Sequence, residues 1–129
     1  MALLSAHELL FGSLIAYIGS MYQVNLRMMA RPRRSIEAIK ALRSITFAAQ
    51  VERGFISSRI YQEVGNPEAL CLEQDWSSEP ELKSHIRSSC FTDLLMLMET
   101  ALEAPMLEVH SVSEVRGLEY VEAVRFGDK

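Results

Sequence analysis

Residues 68–82 read Glu68-Ala69-Leu70-Cys71-Leu72-Glu73-Gln74-Asp75-Trp76-Ser77-Ser78-Glu79-Pro80-Glu81-Leu82. The change of pattern within this run sets the architecture. Up to Trp76 it reads as a strand, with Glu73 and Asp75 alternating with Gln74 and Trp76. Ser78-Glu79-Pro80-Glu81 then fits a capping box: the hydroxyl can meet the amide three residues on, the Glu can reach back, and Pro is tolerated in the first helical turn. A strand therefore passes through a short loop, Ser77-Ser78, into a helix that starts near Glu79.

Upstream, Val64-Gly65-Asn66-Pro67 is a turn, and Phe55 to Gln62 reads as a strand, so the two strands make a hairpin. Before it, Ile36, Ile39, Leu42, Ile45 and Ala49 recur at helical spacing opposite Glu37, Lys40, Arg43 and Gln50. This predicts a helix of about five turns, capped by Ser35 and closed by a left-handed Gly54. Tyr22 to Met29 is a first strand, with Val24, Leu26 and Met28 on one face and Asn25 and Arg27 on the other; Pro32 ends it. Downstream, Ser88-Ser89 interrupts the helix. Phe91, Leu94, Leu95, Met98, Ala101 and Leu102 mark a second segment, which Pro105 stops. Met106 to Val112 is a fourth strand, and Leu118 to Val124 a fifth extended segment. The order β-α-β-β-α-β is the split β-α-β, ferredoxin-like α+β arrangement, an antiparallel sheet with helices on one face. Phe55, Tyr61, Val109 and Val112 are too apolar for an uncovered second face, so a homodimer packed sheet to sheet is expected.

The chain has 129 residues and 14.6 kDa, room for one domain with its own core. Thirteen Lys and Arg against 17 Asp and Glu give a net charge of −4, which argues against nucleic-acid or acidic-membrane partners. Residues 1–20 form an apolar extension ahead of a domain at 21–129. Interrupted by Gly12, Ser13, Gly19 and Ser20 and lacking a basic residue before Arg27, the extension is expected to be a short packed helix over about residues 5–18. A membrane span or a secretory signal is not expected. Translation from Met21 is a second possibility, and with no targeting signal the expected location is the cytoplasm. Cys71 and Cys90 lie 19 positions apart with no His at zinc-finger distance, which predicts buried free thiols and no metal site.

Nine residues after Trp76, the only Trp, comes His85, in the early turns of the following helix. Strand end, loop and helix start should put indole and imidazole on one rim of the sheet, where a pocket would open. Asn25 lies on the first strand, with its face undecided. A methionine-rich stretch, Leu94 to Met98, reads as core, although Met also suits a wall against large flat ligands. No phosphate loop, H-E-x-x-H or G-x-S-x-G is present.

The run Glu73-x-x-Trp76, Ser77-Ser78-Glu79-Pro80-Glu81-Leu82, His85 and Phe91, after a strand Gly54-Phe55-x-Ser57-x-Arg59-x-Tyr61-Gln62, resembles the antibiotic biosynthesis monooxygenase (ABM) domain over about residues 22–124. The resemblance implies a dimeric α+β barrel that oxygenates a quinol or polycyclic aromatic with O2, needing no cofactor. It also implies roles. His85, Trp76 and Asn25 would be catalytic, with His85 polarising or deprotonating a hydroxyl, and Arg59, Tyr61, Phe91 and Met98 would contact the substrate. Haem-degrading relatives share an Asn, Trp and His in similar order, so haem binding is the alternative. A dimeric small-molecule binding module without catalysis is the third reading.

Overall fold

The computed structural model describes residues 21–127. The extension expected to be helical over residues 5–18 lies outside the described residues. Four strands, β1 (Met21–Met29), β2 (Phe55–Glu63), β3 (Asn66–Trp76) and β4 (Met106–Val112), form one antiparallel sheet in the order β2-β3-β1-β4. Helices α1 (Ser35–Ala49), α2 (Glu79–Ile86) and α3 (Ser89–Met98) contribute buried residues to its core, and α4 (Leu118–Phe126) follows β4. This is the α+β, ferredoxin-like order. Among the described residues no helix is long and apolar enough to cross a membrane.

The alternation in β1 has the expected consequence: Val24, Leu26 and Met28 are buried beneath the helices. Leu70, Leu72 and Trp76 of β3 join them, and α1 supplies Ala38, Leu42, Ile45 and Ala49. Pairing Val24 with Gln74 and Leu26 with Leu72 puts these residues on one face, because directly opposed residues in an antiparallel pair point the same way.

Several local expectations change. Arg34, not Ser35, occupies the N-cap of α1, with no side-chain cap; the Arg31-Pro32-Arg33-Arg34 turn, closed by Arg34 N–H to Arg31 O at 2.9 Å, delivers the chain directly into the helix. Arg33 takes φ 68°, the third position of a turn that Pro32 initiates. Helix α1 stops at Ala49, about four turns, and Gly54 serves the approach to β2 instead of capping the helix. Gly54 has φ +87°, and a Cβ there would collide with the Glu81 side chain, so both conformation and space require glycine. The Ser78 hydroxyl accepts from Glu81 N–H as expected, but the Glu81 carboxylate accepts from Ser77 Oγ.

Leu118 to Val124 is helical, not extended. Glu119, Glu122 and Arg125 recur every third residue while Tyr120 and Val124 lie four apart, a helical period that outweighs the β-forming Val and Tyr content. None of the residues of α4 is buried, and Leu118, Val121 and Val124 stay about half exposed or more.

Candidate active site

The sheet sorts the candidate residues onto opposite sides. Trp76 ends β3 on the helix face and is fully buried; His85, in the last turn of α2, is 1% exposed and stacks on it, ring centroids 4.3 Å apart and planes 26° from parallel. Phe55 meets the indole edge-on at 5.7 Å and Phe91 meets the imidazole edge-on at 5.5 Å, so four aromatic rings form a continuous column from β2 to α3. Met98, at the end of α3, packs against the edge of this core. The expected rim pocket holding Trp76 and His85 is therefore filled by their own neighbours.

Asn25, Arg59 and Tyr61 lie on the other face. Arg59 pairs with Glu73 and Tyr61 with Cys71, on the side away from Gln74 and Trp76. Burial works against the Arg59 charge, but hydrogen bonds to Asp75 and Glu73 prevail and hold it above its ordinary pKa. Asp75 also accepts from Ser57 Oγ and Gln23 Nε2, both at 2.8 Å. Asn25 Nδ2 donates to Gln23 Oε1 at 3.0 Å and lies 3.3 Å from His110 Nδ1. Asn25, Glu73, Glu108 and His110 border a shallow hollow of about 350 Å³ on this face. The structure thus brings His85, Trp76 and Phe91 together and keeps Asn25, Arg59 and Tyr61 apart from them by the thickness of the sheet.

The helix-face cluster has members that sequence spacing did not point to. Glu52, in the loop after α1, places its carboxylate oxygens 3.0 and 3.1 Å from His85 Nδ1. A carboxylate can only accept, so Nδ1 carries a proton. Among the described residues, His85 Nε2 is buried without a protein partner, and so are Trp76 Nε1 and both amide atoms of Gln74. Buried polar atoms are nearly always hydrogen-bonded, because stripping water from them costs free energy. Four such atoms on three neighbouring side chains mark this region as more than packing. Cys90, in the first turn of α3, completes the cluster; burial, with Glu52 and Asp93, pushes its thiol up to about 11, so it is a neutral thiol at physiological pH.

The cluster reaches solvent through Glu52. Its side chain is 23% exposed and lines a cleft of about 400 Å³ together with Arg53, Ser78, Pro80, Glu81 and Ser84. The arrangement is a buried imidazole that orients a carboxylate, with the carboxylate facing the cleft. Such a carboxylate can accept a proton from a hydroxyl bound there, while Arg53 on the same wall favours the anion that results.

Solved structures share this fold. A conserved protein from Methanosarcina mazei Go1 is 25% identical, with TM-score 0.66, over 73% of this chain and 94% of its own. A protein from Bordetella bronchiseptica, provisionally assigned as an antibiotic biosynthesis monooxygenase, is 18% identical, with TM-score 0.61, over 77% and 99%. A Bacteroides thetaiotaomicron protein described as a possible oxidoreductase is 18% identical, with TM-score 0.64, over 71% and 97%. No protein-family profile and no curated protein matches the chain. The fold is that of the ABM-type structures, as the sequence resemblance implies.

Proposed function

We propose that this protein is a cofactor-independent monooxygenase of a quinol or polycyclic phenol, with Glu52 and His85 as its proton-accepting pair. The observation that carries the reading is the Glu52 carboxylate, oriented by a buried imidazole and open to a cleft; the shared fold supports it. The substrate would sit in the cleft and lose a proton to Glu52. Its anion is electron-rich enough to pass an electron to O2, and recombination gives a peroxide. For an anthrone, two hydrogens leave the ring carbon, one oxygen atom stays as a carbonyl and the other departs as water, so the reaction balances without an external reductant. Asn25, Arg59 and Tyr61 take no part, because the sheet lies between them and the cleft.

The test is O2 uptake by chelator-treated protein with a panel of quinols and anthrones. The wild type should exceed buffer, and His85→Ala and Glu52→Gln should each lower kcat by about 10²–10⁴-fold, the usual contribution of a positioned acid or base. Equal rates in all three proteins would overturn the reading. The sealing of Trp76 favours a second reading, a binding module that turns nothing over, and ligand binding without O2 uptake would select it. Haem does not fit: His85 Nε2 faces packed side chains, with Trp76 stacked on the ring and the Phe91 contact edge-on, leaving no room for a porphyrin beside it.

We also infer that the chain works as a homodimer, although not for the reason the sequence suggested. Phe55 contacts Trp76 and Val109 pairs with Val24, so both point to the helix side, and the open face is mainly polar. What supports a second copy is α4: nine residues, too short to persist in water unaided and without a buried side chain of its own. Light scattering should give twice the 14.6 kDa chain mass, and a monomer at micromolar concentration would overturn this inference.

A further inference from the structure

We propose that Glu52, His85 and Cys90 form a site for one divalent transition-metal ion, with three protein ligands and one position left for water or another small ligand. A carboxylate oxygen, an imidazole nitrogen and a thiol sulfur, each from a different element, lie within 4.8 Å of one another. Tetrahedral ligands at zinc distances sit about 3.3–3.8 Å apart. The Glu52 oxygens lie 3.0 and 3.1 Å from His85 Nδ1, so an ion would take the place of the Nδ1 proton and spread this pair by a few tenths of an ångström, while side-chain rotation brings in the sulfur.

The ligand types choose the ion. Nitrogen and sulfur with one oxygen suit zinc or cobalt, whereas magnesium and calcium demand oxygen alone. Charge points the same way: binding releases the Cys90 thiol proton to solvent and leaves the imidazole neutral with its proton on Nε2, so carboxylate plus thiolate carry two negative charges and a divalent cation makes the buried site neutral overall. That matters at burial of 7% exposure for Cys90 and 1% for His85, where an unbalanced charge would be expensive.

The surroundings are those of a built site. Trp76 fixes the imidazole plane by stacking, the Cys90 sulfur lies 3.3 Å from the Ile45 carbonyl, and Glu52 N–H donates to Ala49 O at 3.0 Å, anchoring the loop. Outer contacts of this kind orient ligands and raise metal affinity. The cleft at Glu52 gives an ion its way in. The sequence could not announce this site, because its residues stand 33 and five positions apart and match no ligand spacing. The inference does not rest on the oxygenase reading. An ion held here would engage the same Glu52 oxygen and so compete with proton acceptance.

Cobalt titration of metal-stripped Cys71→Ser protein tests it, since Cys90 is then the only thiol. One equivalent of Co²⁺ should bind with a near-ultraviolet thiolate-to-cobalt charge-transfer band and visible bands of tetrahedral intensity. Adding Glu52→Gln should weaken binding by more than about tenfold, the range seen when groups supporting a metal are removed. Cobalt binding without the charge-transfer band would indicate a surface site and overturn the assignment, as would no stoichiometric binding in protein that circular dichroism finds folded. Should Glu52→Gln fail to fold, the band in Cys71→Ser decides alone.

Discussion

Trp76→Ala should lower the unfolding free energy by about 3–5 kcal/mol, the range for removing a buried aromatic side chain and leaving a cavity. The indole is fully buried and sits in the middle of the column Phe55, Trp76, His85, Phe91, so its loss removes two ring contacts as well as burial. Neighbours cannot readily collapse into the gap, because Phe55 and His85 are carried by β2 and α2, which are held by the sheet ladder and by the Ser78 cap. For a small domain such a loss consumes a large part of the total stability. Urea unfolding followed by circular dichroism gives the measurement. The midpoint should fall with little change in slope, and Trp76→Phe, which keeps a ring against His85, should cost clearly less. A Trp76→Ala loss below about 1 kcal/mol, the level of ordinary surface changes, would mean that the column is not packed as described.

How much of this was legible in the sequence depends on whether a signal was local. The β1 alternation, the Ser78 cap and the break at Ser88 all act within a few residues, and all three are present in the fold. The side to which Phe55 points was not legible. Strict alternation would put Phe55, Ser57, Arg59 and Tyr61 on one face, but the pairing with β3 shifts register between Phe55 and Ser57. That irregularity turns Phe55 under the helices and leaves the other three outside, which removes one of the residues that made the open face look apolar. Val109 follows Val24 to the helix side through its pairing with β1. Glu52 and Cys90 reach His85 only because three elements meet there, and no single-segment pattern encodes such a meeting.

Gln74 was legible in principle, since it shares a strand face with Trp76, and an inward-facing amide is a polar residue at a core position. Its cost is the basis of the second large effect. Gln74 is fully buried, and neither its amide nitrogen nor its carbonyl oxygen has a partner among the described residues. An unsatisfied buried polar group costs about 1–3 kcal/mol, so Gln74→Met, which keeps the length of the side chain and removes both polar atoms, should raise stability by about that amount. Most core substitutions destabilise, so the sign of the change is the informative result. The same substitution should leave O2 uptake unchanged, because Gln74 is fully buried and does not line the cleft at Glu52. A more stable protein with unchanged turnover would show that the buried amide costs the fold stability without serving the cleft. A destabilised one would mean that the amide is satisfied inside the folded protein.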